Sequence, residues 1–62
     1  MIVYTGSQAS DIIQKDKYPM NSIGVCRCTQ GYAYWFWDGW TFDSGVEESE
    51  EKALRTAKRN WV

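Results

Sequence analysis

The chain predicts an α+β fold: a three-stranded antiparallel sheet packed on a C-terminal helix, preceded by a short N-terminal strand and helix. Three observations lead there. Residues 23–44 gather β-branched and aromatic side chains around two turn dipeptides, Gln30-Gly31 and Asp38-Gly39. Ala53, Leu54, Ala57 and Trp61 recur at helical spacing on one stripe. A length of 62 residues holds one domain, spanning 1–62, which buries only about 60% of the surface its unfolded chain exposes.

The segment MIVYTG is apolar and β-branched up to its glycine, so residues 1–5 read as a strand or a loosely attached arm. A helix over about 8–16 follows, with Ser7 or Ser10 as N-cap and Ala9, Ile12 and Ile13 on one face; Pro19 prevents its extension. PMNSIG is a linker by its turn residues. Strands are expected at 23–29, 32–37 and 40 to about 44, where Gly45 ends the last one. In the C-terminal helix Ser49 is the cap, Glu50 and Glu51 occupy the first turn, and Lys58 and Arg59 the last, all favourable to the helix dipole. Glu48 with Lys52 and Glu51 with Arg55 add pairs four residues apart.

Two-residue turns make their flanking residues partners, so Trp37 should pair with Trp40, Trp35 with Phe42, Thr29 with Tyr32 and Arg27 with Tyr34. One face then carries Gly24, Cys26, Cys28, Ala33, Trp35, Trp37, Trp40 and Phe42, and its mixture of large and small residues suits a seat for Leu54, Ala57 and Trp61. The other carries Ile23, Val25, Arg27, Thr29, Tyr32, Tyr34, Phe36, Thr41 and Asp43. Two readings of this second face stand side by side: a small second core closed by Ile12 and Ile13 or by the MIVY segment, or an open platform for a partner.

Composition removes several functions. The chain has no histidine, and its two cysteines, Cys26 and Cys28, cannot fill a tetrahedral zinc site; they read as small buried hydrophobes rather than as a disulfide or a redox pair. The acids at 43–51 read as solvated capping groups of the last helix. With no phosphate loop, nucleophile elbow or paired-ligand motif, neither catalysis nor a cofactor or metal is expected. The absence of a basic-then-apolar amino-terminal segment and of any membrane-length apolar run points to a cytoplasmic setting without membrane contact. The formal charge of −1 offers nucleic acid no overall attraction.

From Ile23 onward the order strand, strand, strand, helix, in GVCRC, GYAYWFW, DGWTFD and EEKALRTA, resembles the plant ethylene-response-factor type of DNA-binding domain and the amino-terminal arm-binding domain of phage integrases. The resemblance implies a three-stranded sheet lying in the major groove, with the helix supporting its back. Those sheets present several basic residues, whereas here the second face has Arg27 alone, with Asp43 nearby. Gly31, Tyr32, Ala33 and Tyr34 match part of the RNA-recognition signature, with Gln30 in place of its basic residue. The α-β-β-β-α order also looks like a compressed double-stranded RNA-binding domain, whose last helix would begin basic where this one begins acidic.

The function expected from these residues is a non-catalytic protein-binding module, in the style of a small phage or mobile-element accessory protein that modulates a host protein. Its contact set is Arg27, Tyr32, Tyr34 and Phe36, since tyrosine and arginine are the composition of binding hot spots. The alternative is nucleic-acid binding through the same aromatics, with Lys15, Lys17, Lys58 and Arg59 on phosphates. A homodimer through this face would satisfy the same residues.

Overall fold

The computed structural model describes residues 1–60 as β1 (Ile2–Thr5), α1 (Gly6–Lys15), β2 (Ser22–Cys28), β3 (Gly31–Trp37), β4 (Phe42–Glu47) and α2 (Glu50–Lys58). The α+β class holds, but the sheet has four strands in the order β1-β2-β3-β4 and is mixed. β1 lies parallel to β2, pairing Val3 with Ile23 and Tyr4 with Gly24, and the other neighbours are antiparallel. The difference from a three-stranded antiparallel sheet is therefore a βαβ unit at the amino terminus. None of the described helices is long and apolar enough to cross a membrane.

α1 starts directly from β1 with Thr5 as its N-cap, two residues ahead of the expected start, and neither serine caps it. It stops where Asp16 turns left-handed (φ 56°), its N–H bonding the carbonyls of Ile12 and Ile13 at 2.9 and 3.2 Å. α2 matches its sequence closely. Ser49 Oγ accepts the Lys52 N–H at 3.2 Å, and the ion pairs Glu48 to Lys52 (3.2 Å) and Glu51 to Arg55 (2.9 Å) form on its exposed side. These surface pairs add a few tenths of a kcal/mol each.

Both hairpins differ from their predicted register. β2 and β3 pair Cys28 with Gly31, Arg27 with Tyr32 and Val25 with Tyr34, so Thr29 and Gln30 form the connection. Between β3 and β4 the loop holds four residues, 38–41, and Trp37 pairs with Phe42 and Trp35 with Ser44. In each case the partner moves by two positions, which keeps the side chains that remain in the strands on their predicted faces, while Thr29, Trp40 and Thr41 pass into the loops. Gly45 does not end the last strand. It sits opposite Tyr34, where a Cβ would lie 2.7 Å from the Tyr34 hydroxyl oxygen, so the missing side chain admits the phenol.

The coverings of the two faces are the reverse of the expectation. α2 lies across β2, β3 and β4 on the face of Ile23, Val25, Tyr34 and Phe36, bringing the buried Ala53 and Ala57 against them. Two alanines let the helix axis approach the sheet closely. The tryptophan face receives α1 instead: Trp35 and Cys26 pack with Ala9, flanked by Tyr4, Ile12, Ile13, Tyr18, Ala33 and Trp37. Its small residues serve Trp35 itself, because the Trp35 ring occupies the space where a Gly24 side chain would stand. The Trp35 indole N–H donates to Ser22 Oγ at 3.0 Å, and the Ser22 hydroxyl donates onward to the Pro19 carbonyl. The seat expected for Trp61 lies outside the described residues.

Candidate functional site

The four residues expected to form an outward contact set are not on one open surface. Phe36 is 2% exposed and Tyr34 9%, both inside the core under α2, and Tyr32 packs half-buried against the same cluster. Only Arg27 is exposed. Burial pushes the Tyr34 hydroxyl above its ordinary range, with Asp43 and Glu47 adding to the rise and Arg59 opposing it. The platform assigned to this face is replaced by the α2 interface.

The exposed aromatic surface is on the other face. The backbone of α1 lies over β1 and β2 and meets β3 only through side chains on Trp35, so the half of the tryptophan face nearest β4 stays uncovered. Phe42 and Val46 are each 45% exposed there, with the exposed Ser44 between them on the same side of the strand. Where α1 ends, Tyr18 comes back over the sheet, with its ring 5.3 Å from that of Trp35 and 4.8 Å from that of Phe42. Trp37 meets Phe42 edge-on at 6.3 Å. Asp16, Tyr18, Trp37, Phe42 and Ser44 thus wall an open groove of about 610 Å³. Three of these five residues are aromatic, and the polar side-chain groups are the Asp16 carboxylate, the Tyr18 and Ser44 hydroxyls and the Trp37 indole N–H. Burial first, and then the neighbouring Asp16 carboxylate, raise the Tyr18 hydroxyl above its usual range.

Trp40, in the 38–41 loop two residues before Phe42, is 92% exposed. The backbone that carries it is tied down. Asp38 Oδ1 accepts the N–H groups of Trp40 at 2.7 Å and Thr41 at 2.6 Å, and the Asp38 N–H donates to the Thr41 carbonyl at 3.4 Å. Gly39 takes a positive φ of 87°, and the Met20 side chain lies against it. An aspartate that bonds the backbone two and three residues ahead is a side-chain turn, and it explains why the loop holds four residues rather than two.

These bonds give Asp38 a testable titration. The Thr41 N–H chiefly, and then those of Trp40 and of Asp38 itself, hold the carboxyl below its ordinary value, against a smaller opposing effect of desolvation. A carboxylate with a depressed pKa contributes order that is complete above the unfolded-state value of about 3.9 and is lost as pH falls through the lower folded value. The amide resonances of Trp40 and Thr41 should therefore be constant from neutral pH down to about pH 4 and shift together below it. Asp38→Ala should place them at their loosened positions at every pH. Titration of these amides at neutral pH would contradict the assignment.

Among the described residues no group of three or more histidine, cysteine, aspartate or glutamate side chains could hold a metal ion. Both thiols are free, and burial, reinforced by Cys28, raises that of Cys26, which suits an inert core residue. The arrangement can therefore offer a partner apolar area, aromatic edges and the side-chain oxygens of Asp16, Tyr18 and Ser44. Tyr18, Trp37, Trp40 and Phe42 are missing from the contact set expected from the sequence because the last three fall on the face expected to be covered and Tyr18, between the expected helix and the PMNSIG linker, has no role there. The signal for Trp40 was present, since an aspartate opening a hairpin loop competes with a two-residue turn. The chain matches no family model, no curated protein and no solved structure.

Proposed function

We propose that the protein is a non-catalytic protein-binding module that recognises its partner through the end formed by Tyr18, Trp37, Trp40 and Phe42. The carrying observation is Trp40, 92% exposed on a loop held by Asp38 that connects Trp37 and Phe42 of the aromatic groove. A tryptophan buries roughly 150–250 Å² when covered, and tryptophan is the residue type most enriched in binding hot spots. Presenting it on an ordered backbone lowers the entropy lost on association.

Nucleic-acid binding remains the competing reading, and the local charges favour protein. Asp16 and Asp38 are at the exposed aromatic end, where a stacking platform for bases needs cations. The face opposite α2, which a three-stranded DNA reader would lay in the groove, is here half occupied by α1.

The test is affinity capture on immobilised protein, with nuclease treatment, comparing wild type with Trp40→Ala. A polypeptide retained after nuclease should bind the variant about thirty-fold or more weakly, the factor a hot-spot loss of 2 kcal/mol implies. The thermal midpoint of the variant should match wild type, because the side chain touches no core cluster. Equal capture by both proteins, or capture that disappears with nuclease and falls steeply with salt, would sink the reading.

A further inference from the structure

We infer that Met20 is an oxidation site through which peroxide controls the order of the loop that presents Trp40. The inference rests on the reading of Trp40 as a recognition residue and supplies a regulation for it. Met20 is 63% exposed, so its thioether is open to a dissolved oxidant. Its side chain is nevertheless placed. The Pro19 carbonyl accepts the Ser22 hydroxyl, the Asn21 carbonyl accepts the Ile2 N–H at 2.9 Å, and Asn21 itself is left-handed at φ 57°, so the backbone on both sides of Met20 is fixed. From there its Cε, Cγ and Sδ atoms lie against Gly39, at 3.0, 3.1 and 3.2 Å from the place a Cβ would take, in the turn one residue before Trp40.

The thioether sulfur is a nucleophile through its lone pair. Attack on hydrogen peroxide forms the S–O bond and breaks the O–O bond; the departing oxygen leaves as water, sulfur is oxidised by two electrons and peroxide is reduced by two. The product replaces a flexible apolar side chain by a polar, chiral one. Two changes at the loop follow. Gly39 loses its apolar neighbour, and the sulfoxide oxygen is a new hydrogen-bond acceptor that competes with Asp38 Oδ1, which holds the N–H groups of Trp40 and Thr41 at 2.7 and 2.6 Å. A loosened loop must be ordered again on association, which weakens binding through Trp40. Reduction by a methionine sulfoxide reductase restores the thioether, so the change is reversible.

The experiment treats isotope-labelled wild type and Met20→Leu with hydrogen peroxide at neutral pH, locates the added oxygen by peptide mass spectrometry and follows the amides of Gly39, Trp40 and Thr41 by magnetic resonance. In wild type, Met20 should gain one oxygen and the Trp40 and Thr41 resonances should move towards their Asp38→Ala positions. Hydrogen exchange of these two amides should quicken about four-fold, the factor that losing the burial of one methylene implies. Sulfoxide reductase should reverse both changes. Met20→Leu keeps an apolar side chain of similar volume on Gly39. It still carries Met1, 58% exposed, and both free thiols, so it should gain oxygen elsewhere without moving the loop. Met20 left unoxidised while Met1 reacts, loop amides that ignore the Met20 sulfoxide, or an equal response from Met20→Leu each overturns the inference. Partner capture with Trp40→Ala separates it from the reading beneath. An inert loop with capture lost on that substitution overturns the inference alone, whereas a responsive loop with capture indifferent to Trp40 supports control by Met20 and removes the recognition role.

Discussion

Phe36→Ala should leave the chain largely unfolded at room temperature. Phe36 is 2% exposed at the centre of the cluster formed by Ile23, Val25, Tyr34, Ala53 and Ala57, so its removal opens a void between the sheet and α2. Truncating a buried phenylalanine costs about 3–5 kcal/mol, counting both lost transfer free energy and the residual cavity. At about 0.05–0.15 kcal/mol per residue, a chain of 62 residues has a total stability of about 3–9 kcal/mol. The loss is thus comparable to the whole. Urea titration followed by far-UV circular dichroism should show the folded baseline lost or sharply shortened, while Trp40→Ala keeps the wild-type midpoint. A Phe36→Ala protein with near-native stability would mean that this face is not core and would reopen it as a platform.

The contrast between Phe36 and Trp40 marks what the chain's own letters can convey. Face membership was legible, since side chains alternate with a period of two and both hairpin errors displaced the pairing by two. Ile23, Val25, Tyr34 and Phe36 therefore share a side, as do Gly24, Cys26, Trp35 and Trp37. α2 was legible for a similar reason: its cap and its ion pairs join residues three and four apart, and nothing distant competes with them.

Which helix covers which face was not legible. That depends on β1. Once Ile2–Thr5 lies parallel beside β2, the intervening helix is a crossover, and crossovers of this kind are right-handed almost without exception. Chain handedness then delivers α1 to the tryptophan face, and α2 takes the face that remains. No local pattern in IVYT distinguishes a paired edge strand from a loose arm, so the decisive step was invisible to composition. The exposed aromatics are on the sheet, but on the face opposite α2, which closes the side carrying Tyr34 and Phe36. The opening beside β4 exists because α1 stops at Lys15 and its backbone stays over β1 and β2.

Gly24→Ala should be the most damaging single methyl in the molecule. An added Cβ would fall among the Trp35 ring atoms, and Gly24 faces Trp35 directly across the β2–β3 pair. A ring can escape such a clash only by moving, and Trp35 is held on several sides. Its indole N–H is bonded to Ser22 at 3.0 Å, the Tyr4 ring stacks on it at 6.1 Å, and Tyr18 leans on it at 5.3 Å. Overpacking a core usually costs about 1–3 kcal/mol; here the displaced ring also leaves the Ser22 bond, so the expected loss is about 3 kcal/mol or more. A double-mutant cycle with Trp35→Phe separates the clash from a general intolerance of substitution in β2. The shorter ring vacates the space over residue 24, so Gly24→Ala should cost far less in the Trp35→Phe background than in wild type, although Trp35→Phe alone weakens the protein. Additive effects in that cycle would show that the glycine is required for its backbone and not for the ring lying over it.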